Sequence, residues 1–156
     1  LITPGDAVIR AEAMIVSNPV ADASGLRAAA RILGAAPGMK VHLLGGVWQA
    51  RNGGLTGATA AEMAGRWRCD TLLTGAGAVD AEGWLLDYHE DEVAVARAML
   101  GGARRIMILA DAAKFRRTAP CRVARPGRDA LLVTDAAVPA ATGRALRKAG
   151  AEIVLA

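Results

Sequence analysis

Apolar residues recur along the chain in short runs rich in Val, Ile and Leu, and stretches with a helical period separate them. Runs of this kind suit strands buried on both faces. The pattern predicts strands at 7–9, 14–17, 40–44, 71–74, 105–110, 130–134 and 152–155. Helices are expected between them. One spans 22–33, with Asp22 or Ser24 as its N-cap and Gly34 as its stop. A second spans 58–67 after a glycine-rich loop, and a third spans 91–100, ended by Gly101-Gly102. The fourth, 139–148, opens with Pro139 at a first-turn position and closes at Gly150. Such alternation predicts an α/β fold, a mostly parallel sheet flanked by helices with right-handed crossovers. No internal repeat and no dividing linker is evident, so residues 1–156 are expected to form one domain.

The residues that follow the strands narrow the function. Ser17-Asn18-Pro19, Gly45-Gly46, Gly75-Ala76-Gly77, Asp111 to Lys114 and Thr134-Asp135 each close a predicted strand. In an open parallel sheet these carboxyl ends share one edge, where ligands of such folds bind. Glycines there admit a close backbone approach to an anion, and the following helix N-termini favour negative charge. One glycine pair would mean little, because tight turns need glycine anyway. Five polar or glycine-rich ends point to a polar, anionic small-molecule site.

Composition excludes several alternatives. The chain is 53% hydrophobic with one Phe, one Tyr and three Trp, so its core must be aliphatic. No run reaches the roughly 18 apolar residues of a membrane span. The first residues, Leu1-Ile2-Thr3-Pro4-Gly5-Asp6, lack the basic start and apolar stretch of a signal peptide, which predicts a cytoplasmic protein. Cys69 and Cys121 form no CxxC pair and are expected as reduced thiols. His42 and His89 have no partner at metal-ligand spacing, so no structural metal is expected, and His42 suits a sheet face. The net charge is +4, and sixteen of the nineteen basic residues are Arg. Apart from Arg116, Arg117, Arg122, Arg125 and Arg128 they are scattered, and that cluster suits a solvated loop face. Neither a helix-turn-helix nor a basic helix is present, so charge alone does not make these residues a DNA reader. Trp48, Trp67 and Trp84 follow no spacing and suit packing rather than base stacking.

An ordered series of motifs resembles the carboxyl-terminal sensor domain of DeoR-type regulators, relatives of ribose-5-phosphate isomerase and the sugar-phosphate isomerase/CoA-transferase folds. Pro4-Gly5-Asp6-Ala7-Val8-Ile9 resembles the family's first strand, and Ile15-Val16-Ser17-Asn18 its V-x-T-N strand end. Leu43-Leu44-Gly45-Gly46 is similar to L-x-GG, and Leu55-Thr56-Gly57 to the glycine before the next helix. Cys69-Asp70-Thr71-Leu72-Leu73-Thr74-Gly75 resembles x-D-x-x-F-x-G, continued through Ala76-Gly77-Ala78-Val79-Asp80-Ala81-Glu82-Gly83. Ile108-Leu109-Ala110-Asp111-Ala112-Ala113-Lys114-Phe115 is close to L-x-D-x-S-K-F, and Val133-Thr134-Asp135 to I-T-D. Each motif alone is common; their order over nearly the whole chain is specific.

The sequence departs from the family twice. The D-x-G-T-T phosphate loop and its helix are absent, because Ile9-Arg10 runs directly into Ala11-Glu12-Ala13-Met14. The matching flanks point to a segment missing between Arg10 and Ala11 rather than to a lost loop. In the E-x-x-V-K helix Glu92 is kept, while Ala96 stands in place of the lysine.

The resemblance implies a sensor that catalyses nothing and needs no cofactor. It would bind a small phosphorylated, sugar-derived effector and act as a homo-oligomer, dimer or tetramer. Operator DNA would be read by an amino-terminal winged helix-turn-helix that these residues do not include. The implied ligand residues are Asn18, Gly45, Gly46, Gly57, Gly75, Gly77, Glu92 and Lys114. Lys114 would hold a phosphate as a point charge. Asn18 would bond a ligand hydroxyl or support the turn before Pro19, and Glu92 would accept from sugar hydroxyls or complement its helix dipole. The rival reading is an isomerase, which needs a positioned general base. Related isomerases carry acids in a G-A-D-E loop where this chain has Gly75-Ala76-Gly77-Ala78, and a catalytic Glu where spacing places Ala96. Asp80, Glu82, Asp87, Glu90 and Asp91 are the acids that an altered active site would draw on.

Overall fold

The computed structural model describes residues 12–15, of which only the backbone is considered, 34–50 and 52–156. In chain order these form β1 (Glu12–Ile15), β2 (Lys40–Leu43), β3 (Val47–Gln49), β4 (Gly54–Thr56), α1 (Ala58–Gly65), β5 (Cys69–Thr74), β6 (Ala78–Val79) and β7 (Leu85–Asp87). Then come α2 (Glu90–Gly102), β8 (Ala103–Leu109), a 3-10 turn (Ala112–Arg116), β9 (Cys121–Ala124), β10 (Ala130–Thr134), α3 (Ala140–Ala149) and β11 (Glu152–Leu155).

Four parallel strands in the order β11-β10-β8-β5 make the frame, and β1 and β2 form a second parallel pair. The expected α/β class and parallel frame are therefore present. Strand β10 and strand β11 coincide with the predicted ranges, and β5 and β8 each begin two residues earlier. The strand expected at 14–17 starts at Glu12, and residues 16–17 lie outside the described ones. So do the strand expected at 7–9, the helix expected at 22–33 and the junction between Arg10 and Ala11.

Antiparallel strands are the main addition. Strands β3 and β4 form a hairpin, and β6-β7-β9 form a three-stranded sheet with an irregularity between Leu85 and Leu86. These strands span two to four residues, too few for a period-2 pattern to stand out.

The larger apolar cluster centres on Ile108 and Leu132, opposite each other in register and both fully buried. Val79, Leu85, Val93, Ala96 and Leu146 pack around them. A second cluster joins Leu44, Ala60, Ala64 and Leu72 to Val95 and Met99. Helix α2 thus buries residues on two flanks, and α1 packs along it. His42 and Trp67 stack at 4.6 Å between ring centroids, the Arg122 guanidinium lies 4.9 Å from the Trp84 ring, and Trp48 is exposed. Trp67 and Trp84 thus serve packing in two separate places, and Trp48 lies at the surface. Arg116, Arg117, Arg122, Arg125 and Arg128 are all exposed.

Two helix ends differ from expectation. Pro139 is the N-cap of α3 rather than its first helical residue, a position that needs no N–H from it. Helix α2 does not stop before Gly101-Gly102 but runs through both. A Cβ on Gly102 would lie 2.3 Å from the Trp67 carbonyl oxygen, so this glycine permits close packing instead of ending the helix. Gly101 faces open space. Substitution of these neighbours should therefore have opposite effects. Gly101→Ala should stabilise the fold by roughly 0.5–1 kcal/mol through helix propensity. Gly102→Ala should destabilise it by about 1–3 kcal/mol, because backbone must move. Urea unfolding of both variants measures the contrast.

Candidate functional site

The carboxyl ends of the strands supply the loops. Gly45 and Gly46 follow β2; Gly46 has φ 136°, and a Cβ there would lie 2.6 Å from the Thr56 carbonyl oxygen. Only glycine fits that approach. The same contact brings the loop against Gly57, the N-cap of α1. No side chain caps that helix and no acid occupies its first turn, so its dipole remains available to an anion. After β5, the Gly77 N–H donates to the Leu86 carbonyl at 2.9 Å, and a Cβ on Gly77 would meet the Tyr88 ring at 3.0 Å. After β8, the Asp111 carboxylate accepts from the N–H groups of Ala113 and Lys114 and so nucleates the 3-10 turn. The Ala112 N–H donates to Asp135 Oδ1 at 2.7 Å, tying this turn to the end of β10. Lys114 is half-buried on that turn.

Opposite this glycine-lined region lies an acidic one. Strand β7 ends at Asp87, which is fully buried. Its Oδ1 accepts from the Tyr88 N–H at 2.7 Å, whereas Oδ2 has no hydrogen-bond partner among the described residues. Helix α2 begins two residues beyond Tyr88 with Glu90, Asp91 and Glu92 in its first turn, which suits its dipole. Glu92 is only 5% exposed. The β3–β4 hairpin hooks onto this turn through amide side chains. Asn52 Nδ2 donates to Glu92 Oε1 at 2.9 Å. Gln49 Nε2 donates to Thr56 Oγ1 at 2.8 Å and to Asp91 Oδ2 at 3.2 Å.

Burial pushes the Asp87 carboxyl above its ordinary 3.8. The Tyr88 N–H opposes that shift, Glu92 adds to it, and His89 and Lys114 draw it back down. Asp87 thus shares one electrostatic neighbourhood with both Glu92 and Lys114.

Among the residues expected from the sequence, Glu92 and Lys114 both act electrostatically on Asp87, and Gly77 lies against the Tyr88 ring that follows it. Gly45, Gly46 and Gly57 cluster at the start of α1, and the Thr56–Gln49–Asp91 contacts link them to the acidic end. Gly75 is buried in the loop after β5. Asn18 lies outside the described residues. Sequence reasoning counted Asp87 only among the acids of an altered isomerase site, and it missed the parts played by Gln49, Asn52 and Thr56. The Asn52-Gly53 dipeptide between Val47-Trp48-Gln49 and Gly54-Leu55-Thr56 is the hairpin signal that would have found the last three. Nothing in the sequence marked Asp87 as buried, since it stands in a polar run that reads as solvated.

Two of the acids named for an altered isomerase site, Asp80 and Glu82, are otherwise engaged. Asp80 Oδ1 accepts from the Glu82 and Trp84 N–H groups and closes the β6–β7 turn. Glu82 is exposed, 3.9 Å from Arg122. Ala96, where a catalytic Glu would stand, lies in the larger apolar cluster. Among the described residues no group of three or more His, Cys, Asp or Glu is arranged to hold a metal. Nor is any helix among them long and apolar enough to cross a membrane.

Comparison with known proteins agrees with this architecture. The family model described as the DeoR C terminal sensor domain matches residues 24–136. The HTH-type transcriptional repressor CsqR of Escherichia coli K12 is 32% identical over 126 residues, 81% of this chain and 48% of that protein. The putative aga operon transcriptional repressor of Escherichia coli O157:H7 is 29% identical over 139 residues, 89% of this chain and 51% of its own length. The glycerol-3-phosphate regulon repressor of Escherichia coli K12 is 29% identical over 100 residues, covering 64% and 40% respectively. The chain spans about half the length, or less, of the curated relatives it matches.

The state of Asp87 has a measurable consequence. A carboxyl whose folded pKa lies above its unfolded value holds its proton better in the folded state. Stability is therefore lost as pH rises from about 3.8 through the raised value, and it stays lower above that window. Asp87→Asn removes the buried charge and keeps an acceptor for the Tyr88 N–H. It should raise the melting temperature at neutral pH by about 2–4 °C, the shift expected of ~1 kcal/mol in a domain this size. The gain should vanish below about pH 4. Thermal unfolding of both proteins across pH tests the sign.

Proposed function

The chain belongs to the family of DeoR C-terminal sensor domains, and on that premise we propose that it binds a small phosphorylated, sugar-derived metabolite and thereby controls a DNA-binding domain outside these residues. It is a regulatory domain and not an enzyme, as its repressor relatives are regulators. The observation that carries the ligand reading is the fully buried Asp87 at the end of β7, whose ionisation both Lys114 and Glu92 influence. Lys114 offers a cation, the strand-end loops glycine-rich backbone, and Asp91 and Glu92 carboxylates fixed by amides. A ligand with an anionic end and a hydroxylated end has both kinds of partner there. The uncapped start of α1, beside Gly45, Gly46 and Gly57, supports an anion on the glycine side. The printed name of one relative, a glycerol-3-phosphate regulon repressor, supports a phosphorylated effector.

In this reading residues 1–156 constitute one sensing domain of a cytoplasmic homo-oligomer, dimer or tetramer. Asn18 joins Gly75, Gly77 and Lys114 around the ligand. Effector binding shifts the population of a DNA-competent state through unequal affinity for two conformations, and operator DNA is held by the amino-terminal winged helix-turn-helix. The isomerase alternative gains no support, because neither Ala96 nor the Gly75-Ala76-Gly77-Ala78 loop can supply a base.

A thermal-shift screen of sugar and polyol phosphates tests the reading. A ligand at a hundredfold excess over its dissociation constant stabilises the native state by about 2.7 kcal/mol. Lys114→Ala should lose most of that response while its unliganded melting temperature barely moves. Aldose and ketose phosphates should stay unconverted at the same concentrations. Turnover abolished by changing Asp80 or Glu82 would reject the sensor reading. A normal response in Lys114→Ala would show that the anion lies elsewhere.

A further inference from the structure

Phosphate recognition leaves Asp87 unexplained. Its side chain is completely buried, Oδ1 is fixed by the Tyr88 N–H, and Oδ2 is the buried carboxylate oxygen left without a partner among the described residues. Atoms in that condition are rare in folded proteins, since desolvation is uncompensated. The surroundings argue against an accident of packing. Glu92 and Asp91 beside it are each held by an amide of the β3–β4 hairpin. The acids are thus fixed in position, and one acceptor remains open.

The charge around that acceptor selects what can fill it. Glu90, Asp91 and Glu92 occupy the first turn of α2, so an anion is repelled from this end. A neutral donor is not. Lys114, which lowers the Asp87 pKa, stands on the turn after β8 and marks where the anionic part of a ligand would lie. Thr134 Oγ1 is a second buried polar atom without a partner among the described residues, and it ends its strand one residue before the Asp135 that holds the Lys114 turn.

We propose that Asp87 is the residue that reads the hydroxyl groups of the effector, its Oδ2 accepting a hydrogen bond from a hydroxyl of a bound polyol or sugar phosphate. The inference rests on the sensor reading above and specifies its ligand class. A hydrogen bond to an ionised acceptor is short and strong, and an analogue lacking the hydroxyl leaves the buried oxygen unpaired. Asp87 is thereby a specificity determinant, while Lys114 supplies affinity that any phosphate shares.

Calorimetric titration of the purified chain tests this with matched probes: phosphates of three- to six-carbon polyols and sugars, n-propyl phosphate, and inorganic phosphate. At least one polyhydroxy phosphate should bind roughly 10- to 100-fold more tightly than n-propyl phosphate. In Asp87→Asn that preference should fall to within about threefold, with binding of n-propyl and inorganic phosphate unchanged. Oδ1 of the asparagine still accepts from the Tyr88 N–H, so a merely structural Asp87 would weaken all probes alike or none. An undiminished preference in the variant overturns the role of Asp87 and leaves the sensor reading standing. Absence of any preference for polyhydroxy phosphates in the native chain overturns both. Asp87→Ser, smaller and still bearing an oxygen, reports the same ratio if Asp87→Asn does not fold.

Discussion

Helix α2 is buried along two flanks, and most of the architecture answers to that. Val93 and Ala96 face the cluster around Ile108 and Leu132, while Val95 and Met99 face Leu44, Leu72 and the alanines of α1. A helix held from both sides has little freedom to slide or rotate, because interiors pack at crystal-like density. At its carboxyl end Gly102 presses against the Trp67 carbonyl, a contact no larger residue permits. Its amino end, two residues beyond Tyr88, is therefore delivered to a fixed place. The candidate site is built on that end.

What α2 positions is polar and costly to bury. Asp87 and Glu92 lie out of water; burial and the neighbouring Glu92 raise the cost of ionising Asp87, with Lys114 and His89 as partial compensation. The β3–β4 hairpin shares the load through Asn52 and Gln49. Such an arrangement keeps a buried charge at the end of β7 at some cost to the stability of the fold. It does not suit proton abstraction from carbon, since the loop after β5 offers no base and Ala96 packs into the apolar interior.

The hairpin also gives the site a path outward. Val47 and Trp48 expose apolar surface on β3, while Gln49 and Asn52 of the same hairpin touch the acids of α2. Any ligand that competes for Glu92 or Asp91 acts on that hairpin directly.

The amino-acid sequence alone determined the parallel frame. Strands β5, β8, β10 and β11 appear where Val, Ile and Leu cluster, and α1, α2 and α3 where the helical period falls, with Gly150 closing α3, because these signals are local. The Gly45-Gly46 and Gly75–Gly77 ends, Glu92 and Lys114 were legible for the same reason: each follows a strand or opens a helix in its own segment. The short strands β6, β7 and β9 were not, since their pairing partners lie far along the chain and two to four residues carry no period. Gly101-Gly102 read as a helix stop, whereas contact with Trp67, more than thirty residues away, makes Gly102 an interior glycine. The burial of Asp87 was the largest omission. Within Leu86-Asp87-Tyr88-His89-Glu90 it looks solvated, and only the packing of β7 between β6 and β9, with α2 beside them, removes it from water. Burial is a property of what surrounds a residue in space, and for Asp87 those neighbours come together only in the tertiary fold.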